Sequence, residues 1–413
     1  MAGKLQAPRG TFDVLPADGE RRQLLRENAD DLLGRAGYGP FETPAFEDTE
    51  VFARGVGQST DIVSKEMFTF EDKGGRSLTL RPEGTAGACR AYVEHGMHKL
   101  AQPVKLRYWG PFFRHEAPQA GRYRQFNQVG AEALGSDDPS LDAESVLLLA
   151  EVLEAAGVRG ATLKLSSLGT RESRESYLGK LRRYLHEHEG DLSEDVRARV
   201  EENPLRAFDA DHVGTRAVMA AAPRLLDSLS PEDAEHFAEV CALLDDACLG
   251  YVVDPTLVRG LDYYTRTVFE FESDKLGAQS GVGGGGRYDG LVAELGGPPT
   301  PGVGWAAGVE RILLASETKF PAAPRPIYVA IDEMGTRRQA FGLVTALREA
   351  GVRSELEQAG RSLKGQLRHA ARIAARGVFI VGDGIEWTSL DTGEQRPVGG
   401  VQEAVRIAVG VVT

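Results

Sequence analysis

Apolar residues after residue 326 alternate between short strand-like runs and helical periods. The predicted elements are a strand at 327–331, a helix to about 350, a strand near 352–356, a helix near 363–375 and a strand at 378–381. Thr336 and Gln339 have the spacing of a capping box that would open the first helix, and Gly351 is placed to end it. This order favours a small α/β domain with a mostly parallel sheet over 327–413.

The first 320 residues follow a different pattern. A helix is predicted from about Pro16 to Leu33, and it leads into a strand that Pro44 interrupts. The strand-like runs that follow are rich in Arg, Tyr and Phe and lie at 105–113, 122–131 and 266–273. They predict an α+β domain whose antiparallel sheet is joined by hairpins, with helices to one side.

Two breaks divide the chain. Between about Thr170 and Gly250 the pattern becomes helical and strongly charged, which indicates a helical insertion at 170–250. The proline-rich stretch FPAAPRP favours a linker at 321–326. We therefore expect a core over 1–320, interrupted by the insertion, and a separate domain over 327–413.

Composition narrows the class of protein. The 413 residues, 42% of them hydrophobic, are enough for two or three domains with a sizeable core. The N-terminus lacks an apolar signal run, and no segment approaches the roughly 20 apolar residues of a membrane span, so we expect a soluble cytoplasmic protein. The three cysteines form no CxxC pair, which argues against a zinc site and against a disulfide framework. Because the net charge is −13, local basic patches would have to hold any nucleic acid.

The stretch from Phe112 to Glu132 (FFRHEAPQAGRYRQFNQVGAE) carries the densest candidate chemistry. Its pattern predicts two strands joined by a loop at 118–121, and the two-residue period of a strand groups its side chains on one face. The groups are Phe112, Arg114 and Glu116 on the first strand and Phe126, Gln128, Gly130 and Glu132 on the second. Because Gly130 has no side chain, we expect an open floor for a small polar ligand. A solvated hairpin is the alternative.

Four other segments combine charge with small residues. Glu83 and Thr85 in RPEGT could hold an ammonium group, or could cap a helix instead. Arg259 in LVRGLDYYT is costly to bury unless an anion accompanies it. The glycine run at 283–286 could admit a ligand to the backbone, or could be a flexible loop. Arg311 in GVGWAAGVERI could face a nucleotide, or could lie in a close-packed joint between a strand and a helix.

Basic residues recur at helical spacing near the end of the chain. They are Arg361, Lys364, Arg368, Arg372 and Arg376. On a helix they would form one basic stripe, and the segment contains no acid. A solvated helix face would explain the pattern, but the repulsion among like charges also favours a polyanionic partner.

Together these segments resemble the class II aminoacyl-tRNA synthetases, and among them the histidyl-tRNA synthetases of bacterial type. Residues 37–47 (GYGPFETPAFE) are similar to the first class II motif, 113–132 to the second and 302–312 to the third. RPEGT, LVRGLDYYTRTVFEF and GGGGRYDGL resemble the histidine-specific segments of that family. The resemblance covers nearly the whole chain and implies a class II catalytic domain, a helical insertion and a C-terminal anticodon-binding domain.

The resemblance implies ATP-dependent ligation of L-histidine to histidine tRNA through a histidyl-adenylate, with release of AMP and pyrophosphate. It also implies Mg²⁺ on the outer phosphates of ATP and a homodimer formed through the first motif. The alternative is a non-catalytic paralogue similar to the regulatory subunit of ATP phosphoribosyltransferase. Such paralogues typically lose the segment corresponding to LVRGLDYYT and the C-terminal domain, and both are present here.

The resemblance further implies roles for individual residues. The catalytic cations around the phosphates would be Arg259, Arg114 and Arg311. The nucleotide would contact Arg114, Glu116, Arg122, Phe126 and Arg311. Histidine would contact Glu83, Gly84, Thr85, Arg114, Gln128, Glu132, Arg259, Tyr263, Tyr264 and Tyr288. The tRNA would contact Gln119, Gly121, Arg361, Lys364, Arg368 and Arg372.

Overall fold

The computed structural model describes residues 5–57, 60, 62–257, 261–277, 280–318, 324–332 and 336–412. The chain divides into two compact units, Met1–Lys319 and Phe320–Thr413. None of the described helices is long and apolar enough to cross a membrane.

The first unit mixes helices and strands along the chain. In order they are α1 (Pro16–Arg35), β1 (Gly39–Pro40), β2 (Phe46–Asp48), α2 (Thr49–Gly55), β3 (Phe68–Glu71), β4 (Ser77–Leu80), α3 (Thr85–Glu94), β5 (Val104–Phe113), β6 (Gln125–Leu134), α4 (Pro139–Ala155), β7 (Thr162–Ser167), α5 (Arg171–Glu187), α6 (Glu194–Arg199), α7 (Val213–Ala220), α8 (Pro231–Asp246), β8 (Val252–Val253), β9 (Thr265–Glu272), β10 (Gly281–Arg287), α9 (Leu291–Glu294), β11 (Gly302–Gly308) and α10 (Val309–Ala315).

The large sheet of this unit has the strand order β1-β5-β6-β11-β10-β9-β7-β8. Its interior pairs are antiparallel, as predicted, while β1–β5 and β7–β8 at the two edges are parallel. A smaller antiparallel sheet has the order β2-β4-β3. The break between β1 and β2 contains Pro44, which interrupts this stretch as expected.

Helices α1, α4 and α8 pack against one face of the large sheet. Leu33 of α1, Leu149 of α4 and Leu244 of α8 share a core with Val129 and Phe269 from the strands. Because neighbouring strand residues point to opposite faces, the alternate residues of β6 face the other side of the sheet.

The helices predicted as an insertion are anchored to this sheet. Helix α8 packs against α4, and it therefore belongs to the layer that covers the sheet. Leu181 and Leu185 of α5 share a second core with Tyr264 and Tyr288. The helical segment, defined here as residues 170–250, thus packs close to residues expected in the histidine site.

The second unit has its own sheet and core. Its elements are β12 (Ile327–Ile331), α11 (Arg337–Glu349), β13 (Ser354–Leu356), α12 (Leu363–Arg372), β14 (Gly377–Val381), β15 (Ile385–Ser389), β16 (Gln395–Val398) and α13 (Val401–Val412). The strand order is β13-β12-β14-β15-β16. The first three strands are parallel, as predicted, and β15 and β16 add antiparallel pairs that make the sheet mixed.

The two ends of α11 differ in how well the sequence predicts them. Gly351 follows the helix with φ +78°, a left-handed conformation that suits glycine and confirms the predicted stop. The predicted capping box is wrong. The Thr336 hydroxyl does not cap the helix but donates to the backbone oxygen of Val381 at 3.0 Å.

Candidate active site

A cleft of about 660 Å³ opens on the sheet of the first unit, between the β5–β6 hairpin, the start of α3, strands β9 and β10, and α10. The predicted site residues that line it are Glu83, Gly84, Thr85, Arg114, Glu116, Gly121, Arg122, Phe126, Gln128, Tyr263, Tyr264 and Arg311. The predicted catalytic residue Arg259 lies outside the described residues. The structure therefore brings most of the predicted residues of the first unit to one place.

Side chains near the ends of β5 and β6 form a connected group. The Nε of Arg114 donates to the backbone oxygen of Pro82 at 2.9 Å, and its guanidinium lies 5.4 Å from the centre of the Phe126 ring. Arg122 and Glu116 form an ion pair at 2.9 Å, and Arg114 lies 3.9 Å from the same carboxylate. Glu116 thus lies between the guanidinium groups of Arg122 and Arg114, and these contacts help to hold Arg114 beside Phe126.

The tip of this hairpin folds onto α10. Gln119 and Arg122 exchange backbone hydrogen bonds at 2.9 and 3.1 Å. Gly121 has φ +76°, and a Cβ there would lie 3.1 Å from Leu314 and 3.4 Å from Arg311. Any other residue at position 121 would be strained and crowded, so the glycine lets the tip rest on the helix that carries Arg311.

Arg311 reaches from α10 to β10. Its Nε donates to the backbone oxygen of Gly281 at 2.5 Å. Burial lowers the pKa of Arg311 and the nearby Arg122 lowers it further, while Glu270 and Glu116 oppose the shift. Two guanidinium groups that repel each other in a partly buried cleft favour the binding of an anion such as a phosphate.

Glu83 caps α3 from the cleft. Its carboxylate accepts the backbone N–H groups of Thr85 at 2.7 Å and Ala86 at 2.9 Å, and the Tyr263 hydroxyl at 3.4 Å. Burial raises the pKa of Glu83, while the backbone hydrogen bonds and Arg114 oppose the shift. The Thr85 hydroxyl does not cap the helix but donates to Glu132, whereas the helix-cap interpretation is confirmed for Glu83. It is compatible with ligand binding, because the residue also lines the cleft.

Glu132 is fully buried on β6 and accepts three hydroxyl groups. Thr85 donates at 2.7 Å, Tyr288 at 2.6 Å and Tyr108 at 3.2 Å. Burial raises the pKa of Glu132 to about 8, the hydroxyl groups oppose this rise, and Glu83 adds to it. Glu132 and Tyr288 are not among the residues that line the cleft, but Thr85, which donates to Glu132, is. Their contact with histidine stays a prediction.

The predicted open floor at Gly130 is also wrong, because the ring of Tyr108 fills it. Tyr108 lies opposite Gly130 in the β5–β6 pairing. A Cβ at Gly130 would lie 2.3 Å from the ring, and a Cβ at Gly84 would lie 2.5 Å from it. The two glycines therefore leave room for one buried tyrosine, whose hydroxyl supports Glu132. An aromatic residue opposite a strand glycine was the signal in the sequence.

Gln128 offers an unused acceptor to the cleft. The residue is 9% exposed, and its buried Oε1 has no hydrogen-bond partner among the described residues. An unsatisfied buried acceptor costs about 1–3 kcal/mol, so we expect a ligand donor to supply the missing bond.

Glu310 lines the cleft but did not emerge from the sequence patterns. Its carboxylate accepts the backbone and side-chain N–H groups of Asn127 at 3.0 to 3.2 Å and pairs with Arg22 at 2.9 Å. It thereby ties α10 to β6 and α1. Its position directly before Arg311, at the start of a largely apolar helix, was the available signal.

The predicted basic stripe lies in the second unit, on and beside α12. Lys364, Arg368 and Arg372 are exposed along the helix at four-residue spacing. Arg361 precedes the helix and pairs with Glu357 at 3.2 Å. The helical part of the stripe is therefore shorter than predicted, because α12 begins after Arg361 and ends at Arg372.

An antiparallel sheet that carries arginines over a polar cleft, followed in the chain by an α/β unit, is the architecture of a class II aminoacyl-tRNA synthetase. The sequence model of the family described as Histidyl-tRNA synthetase matches residues 10–312. Histidine–tRNA ligase of Rubrobacter xylanophilus is 48% identical over 95% of this chain and 96% of its own, and that of Desulforamulus reducens is 47% identical over 91% of both. An apo histidyl-tRNA synthetase from S. aureus aligns over 98% of this chain and 100% of its own, with 34% identity and a TM-score of 0.82. The chain belongs to the histidyl-tRNA synthetase family.

Proposed function

We propose that the chain activates L-histidine with ATP and transfers it to histidine tRNA. In the first step a carboxylate oxygen of histidine attacks the α-phosphorus, and the bond to the bridging oxygen breaks so that pyrophosphate leaves with the electron pair. In the second step a terminal ribose hydroxyl attacks the histidyl carbonyl, loses its proton and displaces AMP. The observation that carries the proposal is one cleft lined both by Arg114 and Arg311 and by Glu83, Thr85 and Tyr264.

Arginines supply the positive charge that the first step requires. Negative charge spreads over the phosphoryl oxygens in the transition state, and guanidinium groups already in position stabilise it. Arg114 contacts the α-phosphate and the substrate carboxylate, and Arg311 holds the γ-phosphate end. Arg259, which lies outside the described residues, takes the other side of the α-phosphate. The repulsion between Arg311 and Arg122 supports this assignment, since a bound triphosphate relieves it.

The adenine base stacks on Phe126. Stacking on an aromatic side chain contributes about 1–3 kcal/mol per base. The neighbouring ion pair of Glu116 and Arg122 offers acceptor and donor groups that seat the nucleotide. The position of Phe126 in the cleft lining, beside Arg114, supports its role as the stacking residue.

The ammonium group of histidine goes to Glu83, Thr85 and Gln128. Two observations support this choice: the buried carboxylate of Glu83 and the unpaired Oε1 of Gln128, both in the cleft lining. Gly84 follows Glu83 in the chain and lines the cleft, and a side chain there would meet the Tyr108 ring. A cation at this place satisfies both acceptors at once.

The imidazole of histidine lies between Tyr264 and Glu132, with Tyr263 and Tyr288 as neighbouring walls. The two tyrosines at 263 and 264 line the cleft, and Tyr288 donates to Glu132. The site presents one polar group to each ring nitrogen. An analogue that lacks one nitrogen would leave the corresponding polar group unpaired. Sites of this kind discriminate by about 10⁴ or more.

Mg²⁺ belongs on the outer phosphates. Glu270 and Glu272 line the cleft on one face of β9, and carboxylate oxygens together with phosphate oxygens are the ligands that Mg²⁺ prefers. When bound, the ion neutralises charge on the departing pyrophosphate. Glu270 also lies near Arg311, so the carboxylate and the guanidinium address the same end of the nucleotide.

The tRNA meets the chain in both units. Gln119 and Gly121 at the hairpin tip face its acceptor end, because the tip borders the cleft. The exposed cations Lys364, Arg368 and Arg372, together with Arg361, bind the phosphates of the anticodon arm, which makes 327–413 an anticodon-binding domain. A homodimer forms through residues 37–47, where β1 is an edge strand of the large sheet.

Charging of histidine tRNA with labelled histidine tests this function. We expect ATP-dependent charging by the wild type and little charging by Arg114→Ala. The matched control is Arg159→Ala, which removes an exposed arginine paired with Glu154 and should leave charging unchanged. Folded wild-type protein that binds histidine but charges no tRNA would favour the regulatory-paralogue alternative instead.

A further inference from the structure

Residues 262–266 carry two cleft tyrosines between two anchored ends. Tyr263 and Tyr264 line the cleft, and their rings lie 4.8 Å apart in an edge-to-face arrangement. Asp262 directly before them and Arg266, which follows Thr265, form contacts with other partners. Both ends find a partner in the helical segment, residues 170–250.

The first end is held by the side chain of Asp262. Its carboxylate accepts the side-chain N–H of Asn203 at 3.1 Å, and its backbone N–H donates to Val56 at 3.2 Å. A Cβ at Gly57 would lie 2.9 Å from the Asp262 carboxylate, so the chain passes close to this residue. Asn203 belongs to the helical segment.

The second end is held by Arg266 in an unusual backbone conformation. Its φ is +43°, which non-glycine residues rarely adopt. A register shift accompanies it, since β10 pairs Gly286 with Val268 but Arg287 with Thr265. The bulge turns the chain just after Tyr264 and thereby sets the direction in which the tyrosines enter the cleft.

The guanidinium of Arg266 holds this bulge against α8. The residue is 8% exposed, and its guanidinium pairs with Asp233 at 3.0 Å and Glu232 at 2.5 Å. The backbone N–H of Arg266 also donates to Gly169 at 2.8 Å. A strained conformation persists only where its surroundings hold it, and here the helical segment does so.

Asp233 joins Arg266 to the starts of two helices. Its carboxylate is fully buried and accepts the Ser173 hydroxyl at 2.6 Å and the Thr170 backbone N–H at 3.0 Å, both at the start of α5. The backbone N–H of Asp233 donates to Ser230, the cap of α8. Movement of either helix would therefore be transmitted to Arg266.

We infer that Arg266 and Asp233 are positioning residues for histidine, through which the helical segment fixes Tyr263 and Tyr264 in the cleft. The inference rests on the proposed histidine site. Arg266 touches no substrate in this account, and it acts only through the backbone that carries the two tyrosines. The ATP contacts proposed for Arg114, Phe126 and Arg311 come from other elements, and Glu270, proposed near the outer phosphates, lies further along β9 from the bulge. Loss of the Arg266 contacts should therefore weaken histidine binding and leave ATP binding nearly unchanged.

Arg266→Gly is the main test, because glycine adopts φ +43° without strain while both charged contacts disappear. We expect the KM for histidine to rise by about ten- to a hundredfold, the effect of misplacing binding groups by about 1 Å. The KM for ATP should stay within about twofold. Arg266→Lys keeps one charged contact and should recover most of the histidine affinity.

The assay is histidine-dependent exchange of labelled pyrophosphate into ATP, with Tm measured for each variant. Leu33→Ala is the control, because it removes a buried side chain from α1, in the other core of this unit, and lowers stability without touching the bulge or α5. If Arg266→Gly does not fold, Asp233→Asn carries the same expectation, since it removes the charge and keeps the shape.

A wild-type KM for histidine in Arg266→Gly would overturn the inference. So would equal rises in both KM values, or the same rise in Leu33→Ala, because each would mean that the effect is one of general stability. Absence of exchange in the folded wild type is a different result, and it would overturn the proposed function itself.

Discussion

Replacing Glu132 by Gln isolates the effect of one buried carboxyl group. Glutamine keeps the shape of the side chain and an acceptor oxygen for Thr85 and Tyr108, and its N–H can donate to the hydroxyl oxygen of Tyr288, which donates to Glu132 in the wild type. It cannot ionise. The difference between wild type and variant therefore reports what the protonation state of Glu132 does to the stability of the fold.

The magnitude follows from the shifted pKa. Burial is the largest cause that raises the pKa of Glu132 from 4.5 to about 8. A shift of roughly 3.5 pKa units at about 1.4 kcal/mol per unit gives about 5 kcal/mol. Between pH 4.5 and about 8, Glu132 is protonated in the folded chain and ionised in the unfolded chain. This contribution is therefore fully present below pH 4.5 and is lost as pH rises towards 8.

Thermal and urea unfolding of both proteins at pH 5, 7 and 9 provides the measurement. We expect the wild type to lose several kcal/mol relative to Glu132→Gln between pH 5 and pH 9, within the limit of about 5 kcal/mol. Parallel pH profiles for the two proteins would refute the reasoning, because they would mean that Glu132 is ionised in the folded protein at neutral pH.

Three further outcomes are expected. Arg114→Ala should lower pyrophosphate exchange by at least about a hundredfold, because it removes the cation proposed to bridge the α-phosphate and the substrate carboxylate, where charge develops in the transition state. Arg368→Glu combined with Arg372→Glu should weaken tRNA charging and spare exchange, and equal loss of both activities would point to misfolding. Gly130→Ala should destabilise the fold by about 1–3 kcal/mol, because the added methyl group overpacks the space that Tyr108 fills. The same change should cost less in a Tyr108→Ala background, and unfolding of the four proteins of this double-mutant cycle measures the difference.

Sequence periodicity was a good guide where one face of an element is buried. Alternation in the β5–β6 hairpin predicts which residues share a face, and Arg114, Phe126 and Gln128 do line one cleft. The same holds for the parallel strands of the second unit, whose apolar runs are continuous. In both cases the spacing of apolar residues follows from which face of the element is buried, and sequence periodicity therefore predicts that face.

The errors concern contacts across elements. Gly130 looks empty in the sequence, but Tyr108 fills the space from the neighbouring strand. Thr336 has the residue type of a cap, yet its hydroxyl bonds to Val381. The left-handed conformation of Arg266 cannot be predicted from its own residue type, because Asp233, 33 residues earlier, is the partner that holds it.

Histidine-dependent exchange of labelled pyrophosphate into ATP tests the central claim most directly. The account predicts exchange with the wild-type protein when histidine is present, no exchange when histidine is omitted or replaced by another amino acid, and no requirement for tRNA. Folded protein that shows no exchange with saturating histidine, or that exchanges equally well with an amino acid lacking a ring, would contradict it.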